Sequence, residues 1–260
     1  MILRPLSPQP APSSRVEPIW AAIERSQQQD FSAGCWLVPQ PAHAALSGDI
    51  AAQLDRKAFP GITPEVVRAI ALHDAGWSLD DAAIIQESRT KGARAKPYSF
   101  IAAAPRDTVA AWTGSVEIAG KALPLGAVLV SRHFAAIAQN YRERADPKAV
   151  KVLDGFLDQE RTRQQKLRKK LSQSDAEIDH LVVALQFSDL LSLYLACGLE
   201  EAVAFPQAIG GEAIQLRRDA QGLRLIPSPF SGERSFRFAA IRHPKIERES
   251  SQSFTLTFRP

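Results

Sequence analysis

The hydrophobic pattern of this chain changes period near residue 210. Up to residue 198, apolar residues recur at helical spacing; beyond 210 they alternate with other, mostly polar residues. Ile214 and Leu216, Leu223 and Leu225, Phe236 and Phe238, then Phe254, Leu256 and Phe258 are period-two runs. Turn signals separate them at 219–222 and at Ser231-Gly232. A period of 3.6 and a period of 2 belong to different elements. The expected fold is therefore mainly α, a helical body of roughly 200 residues carrying a small C-terminal antiparallel β element. The expected divisions are an N-terminal extension with one helix over 1–35, the helical body over 36–200, and the β element over 201–260 packed on that body.

Capping chemistry marks the helix ends. Thr63-Pro64-Glu65 offers an N-cap hydroxyl, a proline at the first position and an acid in the first turn, and Gly76 predicts a stop near His73-Asp74. Asp146-Pro147 repeats the signature and opens a charged helix to about residue 171. Ser174-Asp175-Ala176-Glu177 is a capping box that opens a strongly apolar helix ending at Cys197-Gly198. Further helices are expected over 17–28, from Pro39 and Pro41 to about 54, over 107–121 and over 125–143. Residues 35–38 are an apolar run suited to a strand. Pro5, Pro8, Pro10 and Pro12 predict a surface loop over 5–14.

Composition removes several classes of function. With 45% hydrophobic and 23% charged residues, the chain is neither disordered nor low-complexity. Cys35 and Cys197 are too few for a disulfide scaffold and form no CxxC pair. The excess charge of +4 permits an anionic small molecule and is too small to argue for nucleic acid. The most apolar stretch, 181–196, is interrupted by Gln186 and Asp189, so no membrane span is expected. The start lacks the apolar region of a secretory signal, and the expected compartment is the cytoplasm.

The candidate chemistry lies on the helices. His43, within VPQPAHAALSGDIA, is flanked by small and apolar residues, and His73 follows VVRAIAL directly. His133 has Leu129 and Val130 behind it and Ile137 ahead, on an apolar stripe. Asp189 has Val182, Leu185 and Leu193 as helical neighbours. Each alone is explained as a packed, hydrogen-bonded core residue. Four separate helices each bringing one such group, with His73-Asp74 as an adjacent pair, point instead to a divalent ion held between facing helices.

His43, then His73-Asp74, then Asp189 within LQFSDLLSLYL resembles the H…HD…D signature of the HD-domain superfamily of metal-dependent phosphohydrolases. HDAGWSLDD, QPAHAALSGDIA and PSPF also resemble an uncharacterised bacterial HD-like family of unknown function. The likeness covers about residues 36–198. It implies an HD-like helical bundle in which His43, His73, Asp74 and Asp189 hold a divalent ion (Mn, Fe, Ni, Co or Zn). His133 would serve a second ion or the substrate phosphate, and Asp74 and His133 would be the catalytic groups. The implied activity is hydrolysis of a small phosphate ester or nucleotide by metal-activated water. The alternatives are an HD-like di-iron oxygenase and a non-catalytic regulatory or binding module of the same fold.

Other residues are weighed against these. Trp77 and Arg132 are candidates for binding a small anionic substrate, with Lys91, Arg94 and Lys96 on a basic loop. Asp80 or Asp81 suits either a general acid–base role or a helix N-cap. His180 lies nine residues before Asp189, ~900° around the helix and half a turn out of phase, so it is excluded from the site. His243 is expected to be exposed or structural. The run ERTRQQKLRKK is read as a solvated face; without interleaved aromatics it supports no base stacking, and no nucleic-acid or membrane partner is expected.

Overall fold

The computed structural model describes residues 1–7, 15–219, 222–246 and 249–259. Eight helices form the body: α1 (Ile19–Gln27), α2 (Gln40–Gln53), α3 (Pro64–Ala71), α4 (Ser78–Lys91), α5 (Pro105–Ala122), α6 (Pro124–Arg142), α7 (Pro147–Arg168) and α8 (Asp175–Cys197). The predicted caps do what their chemistry dictates. Thr63 accepts from the Val66 N–H, and Asp146 accepts from Lys148 and Ala149. Ser174 and Glu177 close a reciprocal capping box. α8 is apolar all round because neighbours surround it. By length and composition it could cross a membrane, yet 72% of its most apolar window is buried within the molecule.

The β structure corrects the expectation of a mainly α bundle with a small antiparallel appendage. The strands are β1 (Ile2–Pro5), β2 (Glu17–Pro18), β3 (Cys35–Val38), β4 (Val203–Ile209), β5 (Glu212–Asp219), β6 (Gly222–Ile226), β7 (Arg234–Ile246) and β8 (Glu249–Arg259). They form one eight-stranded sheet in the order β1-β3-β7-β8-β6-β5-β4-β2. It is mixed: β2 runs parallel to β4 and β6 parallel to β8. The sheet draws strands from both ends of the chain, since β3 pairs with β7 through Cys35 opposite His243 and Leu37 opposite Ile241. β1 is four residues long and ends on Pro5, β2 has two residues, and β4, although its burial alternates, contains Pro206 and two alanines, so none carries a clear period-two signal in the sequence. The loop expected over 5–14 begins on β1, and its residues 8–14 lie outside the described residues.

Side chains tie the sheet to the helices. The Gln27 amide at the end of α1 accepts from the Leu3 N–H and donates to the Leu3 carbonyl, completing the free edge of β1. Arg4 donates to the Leu195 carbonyl at 2.7 Å, in the last turn of α8, while its guanidinium lies 4.1 Å from the Phe254 ring centroid.

Close helix contacts depend on missing side chains. A Cβ on Gly48 of α2 would stand 2.6 Å from the Ala71 Cβ at the end of α3. A Cβ on Gly76 would stand 2.0 Å from the Ala111 carbonyl oxygen of α5. Gly76 thus sets how closely the turn packs; the predicted stop comes earlier, with α3 ending at Ala71.

Two helical glycines should respond oppositely to alanine. Gly48→Ala overpacks the α2–α3 contact and should cost about 1–3 kcal/mol. Gly155→Ala on α7, where a Cβ meets nothing within 4 Å, should stabilise by about 0.5–1 kcal/mol. Urea unfolding midpoints check both, and equal signs would contradict the packing.

Candidate metal centre

The five residues predicted as ligands converge. His43 projects from α2, His73 and Asp74 from the turn after α3, His133 from α6 and Asp189 from α8. All five are buried, the three imidazoles at 0–2% exposure and the carboxylates Asp74 and Asp189 at 6% and 7%. The little exposure that remains is at the two carboxylates rather than at the imidazoles.

Ligand atoms of His43, His73 and Asp189 lie within 4.8 Å of one another. His73 Nε2 is 3.2 Å from Asp189 Oδ1, and His43 Nε2 is 3.8 Å from the same oxygen. Asp74 Oδ2 lies 2.8 Å from His43 Nε2 and 3.7 Å from His73 Nε2. Donors each ~2.1 Å from a shared ion stand ~3.0–3.4 Å apart in tetrahedral or octahedral geometry. The observed separations bracket that range. Asp74 Oδ1 is buried without a hydrogen-bond partner among the described residues, an acceptor that a cation would satisfy. The nitrogen and oxygen donor set suits Mn, Fe, Co, Ni or Zn.

The His73 tautomer is fixed by its surroundings. Its Nδ1 lies 2.8 Å from the Ile70 carbonyl, which can only accept, so Nδ1 carries a proton and Nε2 faces the carboxylates. Burial disfavours the charged ring, but Asp74 and Asp189 outweigh it and raise the His73 pKa to about 9. Burial likewise works against ionised Asp189, and the hydrogen bond and charge of His73 prevail, holding it down at about 2. His133 shows the other outcome. Burial dominates and lowers its pKa to about 4, so at neutral pH it is an uncharged imidazole. Its Nε2 is 3.7 Å from Asp189 Oδ2, and its Nδ1 has no hydrogen-bond partner among the described residues.

The remaining candidates are placed elsewhere. Arg132 is bound by Asp175 and Asp179 at the start of α8, at 2.7 and 2.6 Å. Trp77 is buried in the turn, its backbone N–H donating to the Asp74 carbonyl. Asp81 is buried and accepts from the Gln40 N–H, so it caps the start of α2. Asp80 is exposed on α4. Lys91 pairs with Glu87, and Arg94 and Lys96 are exposed. His180 is exposed, as its helical phase requires. His243 is buried, with Nδ1 2.6 Å from Ser88 Oγ. The charged face of α7 carries ion pairs, but its Glu160 is fully buried.

Sequence reasoning missed the groups behind the ligands. Ser192 Oγ lies 2.8 Å from His43 Nδ1, and Ser47 Oγ lies 2.7 Å from Ser192 Oγ. Ser192 follows Asp189 by three residues and Ser47 follows His43 by four, one helical turn in each case. That spacing was the available signal. Two shallow surface clefts, around Arg217 and Ile226 and around Gln139 and Arg161, contain none of the cluster.

In the ion-free protein, His73 and His133 should titrate on opposite sides of neutrality. His73 should stay charged up to about pH 9, and the stability it contributes, full below the ordinary value of 6.5, should be lost as pH rises through 9. His133 should stay neutral down to about pH 4, and stability should be lost as pH falls from 6.5 toward 4. Imidazole NMR titration reads both; a shared midpoint near 6.5 would refute the placement.

Residues 27–242 match the model of a family described as "Protein of unknown function (DUF3891)", and the chain belongs to that family. No curated protein and no solved structure matches it.

Proposed function

We propose that this member of the DUF3891 family is a metal-dependent hydrolase acting on a small phosphate ester. One observation carries the metal centre: three elements, α2, the turn after α3 and α8, deliver imidazole and carboxylate donors to one buried point at coordination spacing. The phosphate-ester class rests on the H…HD…D order, which resembles that of the HD-domain phosphohydrolases. His43, His73, Asp74 and Asp189 are the ligands. A divalent ion there would polarise the ester and lower the pKa of a bound water.

The chain's own groups do the rest. The Ile70 carbonyl keeps His73 Nε2 as the inward donor. Burial keeps bulk water from the imidazoles and strengthens each charge interaction. Neutral His133, on the far oxygen of Asp189, has a ring nitrogen available to take or give a proton. Substrate approaches from the side on which Asp74 and Asp189 meet solvent.

Elemental analysis of untagged protein tests this reading. On the order of one equivalent of divalent metal per chain is expected. It should fall to background in Asp189→Ala and His73→Ala and persist in His180→Ala. The loaded protein should hydrolyse p-nitrophenyl phosphate or nucleotides in a screen, and the Asp189→Ala protein should not. Absence of metal after soaking with each ion would overturn the centre. Retained metal without hydrolysis of any phosphate ester would overturn the activity and favour a binding module.

A further inference from the structure

Ser192 and Ser47 have no part in the ligand set, yet both are fully buried and both touch His43. Ser192 Oγ lies 2.8 Å from His43 Nδ1 and 2.8 Å from the Asp189 carbonyl. Ser47 Oγ lies 2.7 Å from Ser192 Oγ and 3.1 Å from the His43 carbonyl. These are four close polar contacts. The two carbonyls only accept, and each hydroxyl has a single proton. Two hydroxyl protons can satisfy two contacts and no more. His43 Nε2 lies 2.8 Å from Asp74 Oδ2, a carboxylate that only accepts; once Nε2 coordinates an ion instead, the neutral ring carries its proton on Nδ1 and donates it to Ser192 as a third hydrogen bond. Buried polar groups are rarely left unpaired, and each unpaired one costs free energy.

We propose that Ser192, backed by Ser47, is a positioning residue that holds the proton on His43 Nδ1 and so presents the Nε2 lone pair to the ion. This rests on the metal-centre reading above. Ser192 does for His43 what the Ile70 carbonyl does for His73. The two imidazoles reach the same point with the same nitrogen through different partners. Ser192 sits one turn beyond Asp189 on α8, so one helix supplies a ligand and the group that orients another ligand.

Ser188 provides an internal control. It is buried on α8 one turn before Ser192, and its hydroxyl has no hydrogen-bond partner among the described residues. Affinity for Zn or Mn, measured by competition with a chelator, should fall about 10–100-fold in Ser192→Ala. Ser188→Ala should leave it within about twofold, and Ser47→Ala should give a smaller loss than Ser192→Ala. Equal affinities in Ser192→Ala and Ser188→Ala would overturn the proposal. A second readout needs no variant: the ring ¹⁵N spectrum of His43 in the Zn-loaded wild-type protein. Protonated Nδ1 is expected, and bare Nδ1 would overturn the proposal even if Ser192→Ala does not fold. Wild-type protein that binds neither metal would overturn the metal centre and this proposal with it, whereas bound metal with a bare His43 Nδ1 would overturn this proposal alone.

Discussion

The contact between His73 and Asp189 is the interaction on which the rest of the body depends. Removing a carboxylate from water costs several kcal/mol unless charges and hydrogen bonds replace the lost hydration. Asp189 recovers that cost from His73 at 3.2 Å, with His133 at 3.7 Å and His43 at 3.8 Å around it. Those imidazoles ride on the turn after α3, on α6 and on α2, so three elements must meet α8 at fixed heights. A shift of one helical turn, ~5.4 Å, would strand the carboxylate. The small residues along the seams follow from this: Gly48 against Ala71, and Gly76 against the backbone of α5, let elements approach until short side chains touch.

The sheet serves the same end from the other side of α8. Arg4 on β1 holds the Leu195 carbonyl near the helix C-terminus, six residues beyond Asp189. Its guanidinium is packed over Phe254 of β8. β1 is itself fixed by β3 along one edge and by the Gln27 amide along the other. An N-terminal strand, a C-terminal strand and the last turn of α8 are thereby joined at one arginine. Building the sheet from both ends of the sequence thus fixes the end of the helix that carries Asp189.

How much of this was legible follows from where each signal resides. The caps at Thr63, Asp146 and Ser174 are local chemistry, and local chemistry can be read residue by residue. The convergence of His43, His73, Asp74, His133 and Asp189 was legible because each is a polar residue in an apolar setting, a conflict that some other residue must resolve. The sheet was not legible as a whole. Its C-terminal strands alternate cleanly, but β1, β2 and β4 are short or interrupted by proline. Pairing Cys35 with His243 is a long-range event that no periodicity encodes. Arg132 misled because position alone, next to His133, does not reveal the carboxylates of Asp175 and Asp179 that occupy it. Asp81, weighed as an acid–base group or as the N-cap of its own helix, lies instead inside the first turn of α4 and accepts from the N–H of Gln40 at the start of α2, forty-one residues back in the chain.

The three imidazoles show how environment divides one residue type into separate tasks. His73 is bonded behind by a carbonyl and faced by carboxylates, so its inner nitrogen is committed to a cation, whether a proton or a metal ion. His43 meets the Ser192 hydroxyl behind and the Asp74 carboxylate in front, each at 2.8 Å. His133 has no partner behind it, and burial keeps it neutral. Two rings with committed outer nitrogens are suited to coordinate, because their inner lone pairs point one way. The ring with an uncommitted outer nitrogen stays uncharged beside Asp189. The sequence supplies three histidines of similar surroundings, and the hydrogen-bond partner behind each one assigns its part.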